Sequence, residues 1–274
     1  MAAEWESSGV ELPLAIERAL ETNSLVLFCG AGISAAPPSC LPGFRGLVEA
    51  IASDLRRSEL LPDDPDAPLQ FDAVMGELDE LQHDVHARVS ARLRSTVEPN
   101  SYHLDLLQIA GSSNRTPRIV TTNFDLLFEA AARHLDVDLP TYIAPALPLG
   151  NDIHGLVHLH GPVDPTNGQR MVITDTDFGQ AYITEGWATQ FLTRMFERYV
   201  VLFVGYSADD TVMRYLARAL PAGGMTRFAF MEAEQADAMS VRWERLDVTP
   251  IPYPSPKGLS MLLFGDSSPI GESV

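Results

Sequence analysis

The chain has two cysteines, one lysine and few basic groups of any kind. Cys29 and Cys40 cannot make a disulfide framework, and a four-cysteine zinc site is out of reach of a single chain. Nineteen Lys and Arg face 37 Asp and Glu, a formal net charge of −18. Nucleic-acid backbones are held mainly by basic groups that displace counterions, so direct nucleic-acid binding is not expected of this surface. One small anionic ligand is a different matter, because backbone N–H groups at a helix N-terminus bind phosphate without basic side chains. Long apolar runs are missing too. Tyr199–Val204 is far too short to cross a bilayer. The start, Met1-Ala2-Ala3-Glu4-Trp5-Glu6, lacks the basic and apolar regions of a secretion signal. These absences lead us to expect a cytoplasmic protein with no membrane partner and no metal.

What is present is a core. The 274 residues are 46% hydrophobic and 20% charged, as in an ordinary globular protein. We read residues 1–274 as a single domain with a helical insertion at about 47–110. A helix is expected over 13–22 and a buried strand over Leu25–Cys29, ending at Gly30. Residues 35–46, rich in Pro and Gly, read as a loop. Helices are expected at 47–58, 70–95 and 101–110.

Strand and helix then alternate. Strands are expected at 118–122, 139–143, 156–160, 199–204, 226–231 and 245–252. Helices are expected at 124–135, 186–198, 209–220 and 257–264. In the helix over 124–135 the apolar stripe reads as Leu126, Leu127, Ala130 and Ala131. This rhythm predicts an α/β, Rossmann-like, doubly wound parallel sheet, whose ligands sit beyond the carboxyl ends of the strands.

Four loops at such strand ends carry residues suited to chemistry. Gly30-Ala31-Gly32-Ile33-Ser34 could let the backbone approach a pyrophosphate, with the Ser34 hydroxyl as a donor; it is also an ordinary tight turn. Thr121-Thr122-Asn123-Phe124-Asp125 offers an amide and a carboxylate that equally suit helix capping. In His158-Leu159-His160-Gly161 the two histidines share a strand face, but no third ligand has persuasive spacing, and a strand-end histidine also suits a general base. Gly205-Tyr206-Ser207 again follows a buried strand and precedes Asp209 and Asp210 at a helix start, where a turn with a cap is the ordinary reading. His83 and His86, three apart among charges, read as a solvated helix face.

In this order and at these strand ends, the loops resemble the sirtuin superfamily. Gly30–Ser34 is similar to its Gly-Ala-Gly-Ile-Ser loop. Leu41-Pro42-Gly43-Phe44-Arg45-Gly46 resembles the cofactor-loop segment, Thr122-Asn123-Phe124-Asp125 the Gln-Asn-Ile-Asp motif, His160-Gly161 the His-Gly pair, and Gly205-Tyr206-Ser207 the Gly-Thr-Ser loop. The resemblance implies NAD as substrate. Gly30, Ala31, Gly32, Ser34, Phe44, Arg45, Thr122, Gly205 and Ser207 would bind it, and Asn123, Asp125 and His160 would be catalytic.

Departures narrow the expectation. No cysteine follows Cys40, so the zinc ribbon of the deacylases is absent, and Met171–Phe178 stands where they carry Phe-Gly-Glu. Six residues, Ala35–Cys40, separate Ser34 from the Leu-Pro pair, where typical members have four. The pattern is similar to the zinc-less bacterial sirtuin-like NAD hydrolases of antiphage defence. That resemblance implies a homo-oligomer that is held off until an activating partner or a fused sensor module releases it. Protein deacylation, ADP-ribosyl transfer and a non-catalytic NAD or ADP-ribose sensor are the alternatives.

Overall fold

The computed structural model describes residues 12–63, 70–94, 97–111, 116–148, 153–163, 171–206 and 225–253. Their strands are β1 (Leu25–Cys29), β2 (Arg118–Thr121), β3 (Thr141–Ile143), β4 (Gly155–His158), β5 (Val200–Val204), β6 (Arg227–Glu232) and β7 (Thr249–Tyr253). They form one sheet in the order β3-β4-β2-β1-β5-β6-β7, and every pairing is parallel. The chain order reverses at β1, which lies between β2 and β5. This is the doubly wound Rossmann-like sheet that the alternation predicts.

Both faces of the sheet are covered, so β1 is apolar at every position although its side chains alternate between two cores. Val26 and Phe28 join Val120, Val157, Val201 and Phe203 against α8 (Trp187–Arg198) and the helix Ala236–Glu244, which supplies Trp243. Leu25, Leu27 and Cys29 join Ile119, Leu156 and Leu202 against α1 (Leu14–Glu21), α5 (Ser101–Ala110) and α6 (Leu127–His134). Phe28 and Phe203 are fully enclosed with rings 5.1 Å apart, where truncation to Ala costs about 3–5 kcal/mol.

Between β1 and β2 the packing is of two kinds. α2 (Phe44–Asp54), α3 (Phe71–Glu80) and α4 (Val85–Leu93) share a third core with Phe124, Val163, Met171 and Ile173. α5 instead lies on the sheet through Leu106, Leu107 and Ile109.

Several local expectations are corrected. The loop over 35–46 ends earlier, because Phe44 already opens α2. The helix over 70–95 is two helices: Gln82 and Asp84 adopt positive φ (66° and 42°), and the Asp84 carboxylate accepts the Ala87 N–H to start α4 afresh. The helix over 124–135 begins only at Leu127. Its stripe is turned by one residue, to Leu127, Phe128, Ala131 and Ala132, while Leu126 is exposed. Ala236–Glu244 and α7 (Asp175–Gly179), which runs into a π-helical turn at Gln180–Thr184, were not anticipated. The helices expected at 209–220 and 257–264 lie outside the described residues. Among those residues no helix is long and apolar enough to cross a membrane.

Candidate functional site

Register brings the loops together. Cys29 is level with both Thr121 and Val204, and Thr121 is level with His158. The residues that follow β4, β2, β1 and β5 therefore leave the sheet side by side at its carboxyl edge. The ladder continues just past the strand ends, with Leu159 N–H to Thr121 O (2.9 Å), Thr122 N–H to Cys29 O (3.3 Å) and Gly30 N–H to Val204 O (2.9 Å). A cleft opens there. Ala31, Ser34, Phe44, Thr122, Asn123, Asp125, His160 and Phe178 are among its walls, with α2 and α4 contributing Leu47 and Leu93.

Ser34 is the hub of the polar wall. It sits at the end of a 3₁₀ turn, Ala31–Ser34, that turns back from β1. Its hydroxyl donates to Asp125 Oδ2 (2.9 Å) and receives Asn123 Nδ2 (3.2 Å). The Asn123 amide also donates to Gly30 O (3.1 Å), and its backbone N–H donates to Thr121 Oγ1 (3.0 Å). With its nitrogen held from two sides, Asn123 has its Oδ1 left over to accept a hydrogen bond from a hydroxyl or water in the cleft. The second oxygen of Asp125 accepts the Leu127 N–H (3.2 Å), so this carboxylate caps α6 and serves the cleft at once. Burial raises its pKa above the ordinary carboxylate range, against the lowering effect of those two hydrogen bonds.

Behind Ser34 stands His103, which the sequence reading missed. It is fully buried, with Nε2 3.2 Å from Ser34 Oγ and Nδ1 2.9 Å from Asn100 Oδ1. Asn100 caps α5 and anchors the Gly-rich turn by donating to Ile33 O (2.7 Å). Burial pushes the imidazole down to about 4, against the raising effect of its hydrogen bond with the Asn100 backbone. An Asn followed three residues later by His does read as a helix start, but it carries no sign that the ring faces Ser34 across 69 residues.

His160 closes the far wall. The strand expected over 156–160 ends at His158, so His160 lies two residues past it and the two histidines do not share a site. His158 is 2.8 Å from Glu129 on α6, whereas His160 Nε2 is 2.8 Å from the Tyr182 hydroxyl and its ring meets the Phe178 edge. Full burial drives the His160 imidazole down to about 3, so the ring is neutral at pH 7. The solvated-face reading of His86 is overturned, because its Nε2 lies 2.9 Å from Asp177 and 3.2 Å from Met171 O. His83 is half-buried as well.

Of the other expected binding residues, Gly30, Gly32, Arg45 and Gly205 are not among the cleft walls. Gly30 and Gly32 pack on the loop after β5, where an added Cβ would come within 2.8 Å and 2.9 Å of Gly205 O. Their N–H groups bond Val204 O and Gly205 O, both at 2.9 Å, which leaves those two donors engaged between loops. Gly205 itself has φ +73° and would meet Ile33 N at 2.7 Å, so it must be glycine. Arg45 turns away, 3.2 Å from Glu49 and 5.1 Å over the Phe71 ring. The Thr122 hydroxyl is bonded to Tyr206, whose own hydroxyl reaches Cys29 O at 3.2 Å. Ser207 lies outside the described residues.

The side chains that remain on the cleft are a fixed amide, a buried serine–carboxylate pair and a neutral histidine, at the switch point of a parallel sheet. Residues 117–251 match the SIR2-like domain. The match runs from just before β2 into β7 and so takes in Asn123, Asp125, His160 and Gly205; β1 and its Gly-rich turn precede it. The chain is also 30% identical over 276 aligned positions to an uncharacterized protein, y4cA, of Sinorhizobium fredii. That alignment covers 91% of this chain and 22% of the relative, so the chain spans about a fifth of the length of the protein it matches. Among the described residues no group of three or more His, Cys, Asp or Glu could hold a metal ion.

Proposed function

We propose that this chain is an NAD glycohydrolase that breaks the bond between nicotinamide and ribose, giving nicotinamide and ADP-ribose. The observation that carries the reading is the convergence of Ser34, Asn123, Asp125 and His160 on one cleft beyond the strand ends. Departure of nicotinamide leaves an oxocarbenium-like sugar, to which water adds. Asn123 Oδ1 orients a ribose hydroxyl or the attacking water. Asp125 and Ser34 hold that amide in place, and His160 takes the proton that the water loses. Phe44 and Ala31 give the cleft an apolar side for the nicotinamide ring.

The role we propose is that of a bacterial antiphage effector that depletes NAD. It rests on the resemblance to the zinc-less sirtuin-like hydrolases. Such an activity is toxic unless restrained, so we propose that it works as a homo-oligomer under an activating partner or a fused sensor module. In y4cA most of the protein lies outside the match, which leaves room for such a module there.

The test is incubation of the purified protein with NAD, with nicotinamide and ADP-ribose followed by chromatography. General-base assistance is worth about 10²–10⁴ in rate, so His160→Ala should lose nearly all turnover while melting as a folded protein. Asn123→Ala should do the same. Wild-type turnover in His160→Ala would refute the catalytic assignment. Release of acyl-ADP-ribose from an acylated peptide would make the chain a deacylase, a labelled acceptor would make it a transferase, and NAD binding without turnover would make it a sensor.

A further inference from the structure

Two aromatic side chains, Phe178 and Tyr182, flank the His160 ring. Phe178 and Tyr182 stack on each other (5.9 Å, 17° between planes), and both stand edge-on to the His160 ring, at 5.2 Å and 5.9 Å. The Tyr182 hydroxyl is 2.8 Å from His160 Nε2. Tyr182 is buried and does not line the cleft, whereas His160 and Phe178 do.

This pair is anchored at several points. Thr174 and Asp177 form a capping box at the start of α7, and Asp177 Oδ2 also receives the Ile173 N–H (3.1 Å) and lies 2.9 Å from His86 on α4. At the far end Thr189 Oγ1 donates to Tyr182 O (2.8 Å). Tyr182 itself rides on the π-helical turn, a wide, rare geometry that concentrates at functional sites.

Nδ1 of His160 makes no hydrogen bond to the described residues. An imidazole has one proton to place, and the hydrogen bond at one nitrogen decides which state the other presents. If the Tyr182 hydroxyl donated to Nε2, Nδ1 would carry the proton and could accept none.

We propose that Tyr182 is a positioning residue: its hydroxyl oxygen accepts the Nε2–H of His160 and so presents a bare Nδ1 as the base. This rests on the hydrolase reading for its consequence, though the tautomer can be tested without it. In the reaction the C1′–nitrogen bond breaks and its electron pair passes to the pyridinium ring, which leaves as neutral nicotinamide. Water forms the new C1′–oxygen bond and its proton goes to Nδ1. The Nε2–H stays on Tyr182 while the imidazolium lasts, and the proton is then released to solvent.

The test labels the histidines with ¹⁵N and reads the His160 tautomer by long-range ¹H–¹⁵N correlation, with the signal assigned by its loss in His160→Gln. The wild type should show Nε2 protonated and Nδ1 bare. Tyr182→Phe, which keeps the ring and removes the hydroxyl, should give a tautomer mixture. Its kcat should fall about 10–100-fold, part of the general-base factor, with KM changed less than about twofold. A bare Nε2 in the wild type, or a tautomer unmoved in Tyr182→Phe, would overturn the proposal. So would an equal loss in kcat/KM carried by KM alone. If the wild type turns over no NAD, the hydrolase reading fails by itself and the tautomer still decides the role of Tyr182.

Discussion

Lowering the pH from 7 to 5 tests the burial of His103 and His160 directly, because both rings are neutral in the fold. Their pKa values lie at about 4 and about 3, below the ordinary 6.5. A group with a depressed folded pKa takes up protons first in the unfolded chain. The stability it confers is therefore complete above about 6.5 and is lost as the pH falls toward the folded value. At pH 5 each unfolded histidine is about 1.5 units below its pKa while each folded one is still mostly neutral. At about 1.4 kcal/mol per unit, each ring costs about 2 kcal/mol of stability relative to pH 7, and the pair about 4. Asp125, whose pKa is raised by burial, works in the opposite direction and returns part of this. The sum is a large share of the 5–15 kcal/mol that typically holds a domain together. The assay is urea unfolding at pH 7, 6 and 5, followed by tryptophan fluorescence, for which buried Trp243 is a core probe. His160→Asn should be less stable than wild type at pH 7, yet lose about 2 kcal/mol less between pH 7 and 5. Parallel pH profiles for wild type and variant would refute the burial argument, since the overall charge of −18 acts on both alike.

Three further outcomes follow from the same contacts. Gly155→Ala should cost more than about 2 kcal/mol in chemical denaturation, because Gly155 has φ +92° and a Cβ would collide with the Pro140 carbonyl. Ser34→Ala should abolish turnover and cost about 1–3 kcal/mol, since Asp125 and Asn123 lose a shared buried partner; an active, equally stable variant would contradict the hub. Asp54→Asn, which removes only the exposed pair with Arg92, should shift the unfolding free energy by less than about 1 kcal/mol.

The sequence by itself determined the sheet and the edge where chemistry would sit. Strand β1 was legible as Leu25–Cys29 because five consecutive apolar residues ending at glycine suit a strand covered on both faces. The loops at Gly30, Thr122, His160 and Gly205 were legible because each follows such a run, and residues beyond parallel strand ends must gather on one edge. Which of their atoms face the cleft was decided only by tertiary packing. Gly30 and Gly32 look like a phosphate cradle in one dimension, but their donors are engaged by Val204 at the end of β5 and by Gly205 just after it, far along the chain. Arg45 sits in a suggestive motif, yet α2 begins one residue before it and carries its side chain toward Glu49. His103 and Tyr182 had no local signal, because one is a helix histidine and the other an apparent core aromatic. Their roles come from contacts with Ser34 and His160, and local periodicity records which face of an element is buried without recording what that face meets.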